Sequence, residues 1–242
     1  MKDELDVHIH TYASGHAYST MREVIEAGKR KKLKLIGISD HGPKMPGSAH
    51  EFYFMNLKAI PREVYGIKLI MGAELNIIDY EGRVDLPEKI LKSLDYAIVS
   101  LHQPCIKSGT LEENTSAIIA AMKKPKVKII GHPDNPQYPI DYERVAQAAF
   151  EENVIIEINN SSYNEEGYRA GSRAKATEML KACKRNGTAV IMGSDAHVDY
   201  YVGEHKKSIE VLEENNYPEE LIMNTDVEKF LRKLRGEKDV TA

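Results

Sequence analysis

The sequence predicts an α/β protein, a closed or nearly closed β/α barrel, on three observations. Seven short runs rich in Val and Ile recur along the 242 residues, at 5–10, 33–38, 67–72, 96–101, 127–130, 154–158 and 189–192. Mostly helical stretches lie between them, and strands alternating with helices call for a parallel sheet covered by helices. The residues that follow each run are histidines, carboxylates and amides, and they fall where a barrel builds its active site, at the C-terminal ends of its strands. A doubly wound open sheet is the alternative assembly of the same units.

In chain order, the first run leads into Asp6-Val7-His8-Ile9-His10. Strand side chains alternate, so His8 and His10 share a face and make half of a tetrahedral metal site. Thr20 caps a helix over 20–27. The basic residues 29–32 at its end complement the helix dipole and need no nucleic-acid partner. The second run is followed by Ser39-Asp40-His41, the third by Glu74, the fourth by His102, the fifth by His132-Pro133. Asp141 opens a helix over 141–152. The sixth run ends in Asn159-Asn160-Ser161-Ser162 and the seventh in Gly193-Ser194-Asp195-Ala196-His197. Between them a helix over 172–186 ends at Gly187, a C-cap glycine. Arg169, Ser172 and Arg173 stand near Gly167 and Gly171 at its start, where free backbone N–H groups and a guanidinium suit a phosphate. Further helices are expected at 204–213, with His205 on the surface, and at 225–235, packed on the outside of a single domain spanning 1–242. His50 reads as a surface residue, and 236–242 as a frayed tail.

Six of the nine histidines lie at C-terminal strand ends. Those ends make up roughly a tenth of the chain, so random placement would put about one there. Singly, each residue has an ordinary reading: His132 could cap a turn, Glu74 could pair with a lysine, Asp195 could cap a helix. Six strand ends acquiring such residues independently is a different matter. Imidazole with carboxylate and no thiolate suits Zn, Mn or Fe rather than Ca or Mg. A catalytic zinc takes about three protein ligands, so the set His8, His10, His41, Glu74, His102, His132, Asp195 and His197 is sized for two or three ions.

The remaining composition narrows the class. A net charge of -4, from 33 basic and 37 acidic residues, argues against nucleic acid as a partner. No apolar run approaches the ~18 residues of a membrane span, and MKDELDVHIH has no secretion-signal pattern. Cys105 and Cys183 lack CxxC spacing and read as free thiols in a reducing cytoplasm; Cys105 lies three residues after His102, which makes a metal role conceivable for it.

The set HxH, SDH, Glu74, SLH, GHP and SDAH resembles the PHP (polymerase and histidinol phosphatase) superfamily, and within it the YcdX-type trinuclear phosphatases. The resemblance runs from about residue 6 to residue 204. It implies a distorted seven-stranded, TIM-like β/α barrel and a centre of about three divalent metals, zinc first, manganese or iron otherwise. His8, His10 and Asp195 would hold one metal. Glu74 would bridge it to a second on His102 and His132, and His16, His41 and His197 would hold a third. His16 lies in a loop and enters the set through the resemblance alone. Three metals against Glu74 and Asp195 leave a site of about +4 that attracts a phosphate monoester. A metal-bridging hydroxide would then attack phosphorus in line. Asp40 would orient a ligand histidine, protonate the leaving group or cap a helix. The expected partner is a small phosphorylated substrate. A nucleotide phosphodiesterase or exonuclease, an amidohydrolase-like hydrolase and a non-catalytic metal-binding module are the alternatives. Loops 43–49 and 104–110 would set specificity.

Overall fold

The computed structural model describes residues 1–237; most of the tail expected to fray, 236–242, lies outside them. The strands are β1 (Leu5–Asp6), β2 (Leu35–Ile38), β3 (Glu63–Val64), β4 (Ile67–Met71), β5 (Glu74–Asn76), β6 (Ala97–Ser100), β7 (Val127–Ile130), β8 (Ile155–Asn159) and β9 (Val190–Gly193). The helices are α1 (Met21–Lys31), α2 (Glu51–Asn56), α3 (Glu88–Leu91), α4 (Leu111–Met122), α5 (Tyr142–Glu151), α6 (Ser172–Asn186), α7 (Lys206–Glu214) and α8 (Val227–Arg235). Thr20 with Glu23, and Thr110 with Glu113, form reciprocal capping boxes that start α1 and α4.

The α/β class and the parallel pairing match expectation; the continuous seven-stranded ladder does not. Among the described residues nine strands form two sheets, in the orders β1-β2-β4-β3 and β5-β6-β7-β8-β9. Only β3 pairs antiparallel, as a short edge. The third apolar run ends one sheet at Met71, and Glu74 begins the other. At this switch a Cβ on Gly72 would lie 2.6 Å from the ring of buried Tyr96, so the backbone passes there only as glycine. The two sheets touch at single parallel bridges, Ile9 with Ala196 and His41 with Glu74. Both seams run through the residues singled out as ligands.

Alternation along the strands divides the core in two. Ile36, Ile38, Val99, Ile156 and Ile158 face the helices. Leu5, Val7, Ile98, Ile129, Ile155 and Ile191 face inward as a smaller cluster. Helix α8, expected on the outside, turns Val227 and Phe230 into that inner cluster, and Glu228 meets Lys68 at the start of β4, 2.5 Å away. Its amphipathic face closes the end of the sheets opposite the ligand residues. Burying a ring such as Phe230 stabilises by about 1.5–3 kcal/mol.

Candidate metal centre

The inward parity that places Ile155 in the core places Glu157 one step nearer the C-terminal face, beneath the histidines. Glu157 is fully enclosed. Its Oε1 lies 2.6 Å from His8 Nδ1. Its Oε2 accepts from the His132 backbone N–H at 2.8 Å and from Asn159 Nδ2 at 3.1 Å. His102 Nδ1 meets Asn76 Oδ1 at 2.7 Å, and His197 Nδ1 meets the Asp195 carbonyl at 3.0 Å. Each of these rings is therefore anchored through one nitrogen, leaving Nε2 aimed into the site, as metal-binding imidazoles require.

Glu74 stands at the centre. Its Oε2 lies 3.4 Å from His8 Nε2, 3.5 Å from His10 Nε2 and 2.8 Å from His41 Nδ1. Its Oε1 lies 2.9 Å from His132 Nε2 and 3.2 Å from His102 Nε2, and accepts from Ser100 Oγ at 2.6 Å. Each oxygen thus serves a different group of histidines. Asp195 Oδ1 is 3.2 Å from His10 Nε2 and 3.7 Å from His8 Nε2. The nitrogens of His16 and His197 are 3.1 Å apart, and the His16 ring lies 5.0 Å from that of His41.

Several of these ligand atoms face one another without hydrogen bonding. His8 Nε2, His10 Nε2, His41 Nδ1, His102 Nε2 and Glu74 Oε2 are all buried without a hydrogen-bond partner. Five such orphans facing one another would be costly as they stand. As donors to divalent metals they fit. Among the described residues, ligand atoms gather within 4.8 Å in three sets: His8, His10 and Glu74; His41, Glu74 and His102; His10, His41 and His197. These sets are not the expected division, since His10, His41 and Glu74 each stand in two of them, and His16, His132 and Asp195 border them.

The electrostatics follow from this crowding. Burial opposes a charged His8, yet Glu157, Glu74 and Asp195 outweigh it and raise its pKa well above the usual imidazole range. Burial also opposes the Glu74 anion, but His102, His8 and His41 hold its pKa well below the carboxylate range. Asp195 is likewise lowered against its burial by His8 and Arg169. Burial, aided by His41 and His197, keeps His10 neutral. Backbone strain is present too, with His132 at φ +33° and Asp195 at φ +54°, where side chains other than glycine are uncommon. A Cβ on Gly193 would meet Glu157 Oε1 at 2.0 Å, which accounts for the glycine two residues before Asp195.

The other expected site residues separate. Arg169 reaches the centre: its two terminal nitrogens each lie 3.0 Å from Asp195 Oδ2, and one is 3.1 Å from Ser162 Oγ. Arg173 turns away, 2.5 Å from Glu214 and 3.8 Å from Glu210 on α7, and Ser172 is enclosed in α6. Neither lines the cleft over the histidines. Asp40 is fully buried, accepting from Thr11 N–H and Oγ1, Ser14 Oγ and Tyr53 OH at 2.7–2.8 Å. Ser14 Oγ also lies 3.1 Å from His10 Nδ1, so Asp40 acts on that ring through Ser14, and both its oxygens are occupied. His50 caps α2, 3.2 Å from Phe52 N–H. Cys105 joins no ligand set, its thiol pushed up to about 12 by burial. His205, expected on the surface, is buried, with Nδ1 2.8 Å from Asp3 and Nε2 3.6 Å from Asp6. Asp6 accepts from the backbone of His8 and Ser194, each at 3.3 Å, which ties β1 to the end of β9. Glu157 had one signal in the sequence, a charge inside the apolar run 154–158.

An open cleft of about 370 Å³ lies over the centre. Met45, Gln103, Pro104 and Tyr168 wall it opposite His16 and His197, and Arg169 lines it.

The chain matches the PHP domain over residues 6–161; Asp195 and His197 lie beyond that stretch. A probable phosphatase of Clostridium novyi (strain NT) is 49% identical over 236 residues, 98% of this chain and 96% of that protein. One from Caldanaerobacter subterraneus subsp. tengcongensis is 50% identical over 232 residues, 96% of this chain and 91% of that protein. In structure, the chain is similar to histidinol phosphate phosphatase of Lactococcus lactis subsp. lactis, solved in complex with zinc, L-histidinol and phosphate. That likeness has a TM-score of 0.62 at 16% identity and covers 89% of this chain and 95% of that one. By the extent of the sequence match and the identity with these relatives, the chain belongs to the PHP domain family.

Proposed function

We propose that this chain is a single-domain, metal-dependent phosphatase that hydrolyses phosphate monoesters at a three-metal centre. The observation behind this reading is the set of five buried, unpartnered ligand atoms, four histidine nitrogens facing Glu74 and one of its own oxygens. Imidazole with carboxylate suits zinc, the metal in the similar Lactococcus enzyme. The probable phosphatases that match nearly the whole chain support the same activity. The two parallel bridges between the sheets support treating them as halves of a distorted barrel.

In this reading His8, His10 and Asp195 would hold one metal, His102 and His132 a second, and His16, His41 and His197 a third, and Glu74 would serve the first two. Bound metals supply Lewis acidity and a water deprotonated at neutral pH. Arg169, fixed by Asp195, turns its guanidinium to the phosphoryl oxygens. The water oxygen bonds to phosphorus, the ester P–O bond breaks, and the leaving oxygen takes up a proton. Asp40 positions His10, and Glu157 holds His8 and the His132 backbone in place.

Metal analysis of the purified protein, with a panel of phosphomonoester, phosphodiester and amide substrates, tests this. Two or more tightly bound ions and preference for monoesters are expected. Fewer than two ions, or a fully metallated protein inert on every ester, would overturn it.

A further inference from the structure

A second groove, of about 570 Å³, lies on the far side of the ridge formed by Asp195 and His197, and both residues line it as well as the cleft. Its other wall comes from Asn160, Ser161 and Asn164 after β8 and from Lys207 at the start of α7. Tyr18 and Tyr201, both largely exposed, flank it.

The side-chain polar groups left over on this wall are two that can only donate, the Lys207 ammonium and Asn160 Nδ2, and two that can donate or accept, the Ser161 hydroxyl and the Asn164 amide. Asn160 uses Oδ1 to accept from the backbone N–H groups of Lys207 and Ser208, at 2.9 and 3.2 Å, which fixes its amide so that Nδ2 is left over. Among the described residues, no side-chain hydrogen bond or ion pair engages Asn160 Nδ2, Ser161 Oγ, Asn164 or the Lys207 ammonium. The acidic side chains of the groove are already paired. Asp195 is held by Arg169 at 3.0 Å, and Glu204 lies 3.3 Å from Lys31. In a chain of net charge -4, this leaves beside the centre one cation, one amide N–H donor and two further groups able to donate, none with a side-chain partner. A group with several acceptor oxygens and negative charge satisfies them together.

We propose that this groove is a subsite for an oxyanion, a second phosphate or a carboxylate, on the leaving group of the phosphomonoester. The proposal rests on the phosphatase reading and names its substrate class: compounds bearing a second anionic group beyond the scissile phosphate. The scissile phosphate lies at the histidines, the chain of the leaving group crosses the ridge at His197, and its oxyanion meets Lys207.

The test uses the metal-loaded protein and a series of straight-chain substrates of two to six carbons. Each carries a phosphate ester at one end and a phosphate, a carboxylate or a methyl group at the other. At the best chain length, kcat/KM for an anionic tail should exceed that for the methyl tail by about 5-fold, the upper end of what a rim ion pair contributes. The two anionic arms identify which oxyanion is preferred. Lys207→Ala should bring the ratio to about 1 by raising KM, and Lys207→Arg should restore it. No preference at any length, or a preference that survives Lys207→Ala, would overturn the subsite while leaving the phosphatase reading intact. Calorimetric titration with the non-hydrolysable analogues 1,4-butanediphosphonate and butylphosphonate reads the same ratio without turnover. Lys207-dependent binding in a protein that hydrolyses no ester would overturn the phosphatase reading and keep the subsite.

Discussion

Replacing Glu157 by glutamine alters almost no volume but removes a charge from beneath two ligand histidines. Glu157 Oε1 faces His8 Nδ1 at 2.6 Å, and Oε2 takes the His132 N–H at 2.8 Å and Asn159 Nδ2 at 3.1 Å. Glutamine has one acceptor oxygen. If that oxygen serves His132, the new NH₂ group points at His8 Nδ1 and favours the tautomer with its proton on Nε2, the atom needed for metal. If it serves His8, NH₂ opposes two donors. Hydrogen bonds to a charged group contribute about 1.5–3 kcal/mol, and loss of such support behind a ligand lowers metal affinity about 10–100-fold. Glu157→Gln should therefore lose one metal at chelator concentrations that leave the wild type fully loaded. Chelator competition gives the affinity, and circular dichroism checks that the fold persists. The reasoning is refuted if the folded variant binds every metal with unchanged affinity. It is equally refuted if the metal on the His16, His41 and His197 side weakens while that on His8 does not.

Gly193→Ala should cost about 1–3 kcal/mol in denaturant melts, as small-to-large changes in packed sites do, and should reduce metal content, because the new Cβ would overlap Glu157 Oε1. His205→Gln leaves Asp6 buried with less compensation and should destabilise by about 3 kcal/mol at pH 6. In the wild type, burial lowers the His205 pKa, but Asp6 and Asp3 raise it from 6.5 to about 10. The native state then binds this proton more tightly than the unfolded chain, so its stabilisation is complete below pH 6.5 and is lost as pH rises through about 10. Urea midpoints across this range should converge for wild type and variant; a gap that stays constant would contradict the assignment. Removing metal with EDTA should lower Tm, and added zinc should restore it, because ions bound only by the native state stabilise it by mass action. An unchanged Tm would remove metal from the centre.

How much was legible in the sequence differs by residue. The alternation of apolar runs with capped helices is local, and it located β2, β4, β6, β7, β8 and β9 because strand and helix periods are written in neighbouring residues. His8, His10, His41, Glu74, His102, His132, Asp195 and His197 stood out for the same reason: a barrel collects whatever follows its strands on one face. His16 follows no strand, and only the resemblance to a family placed it beside them. Arg169 and Arg173 carried the same local signal, and the structure separates them, since one meets Asp195 and the other Glu214.

Residue types at strand ends were enough to determine the α/β class, the end that bears the site and most of the candidate ligand set. The tertiary structure decided where the ladder divides, which carboxylates support the histidines and which donors are left unengaged. Its reason is physical: these depend on contacts between residues remote along the chain. His8 and Glu157 are 149 residues apart, and His205 reaches Asp3 across 202. Gly72 passes against Tyr96 where the chain moves from one sheet to the other, and the candidate ligands converge at the seams between the sheets.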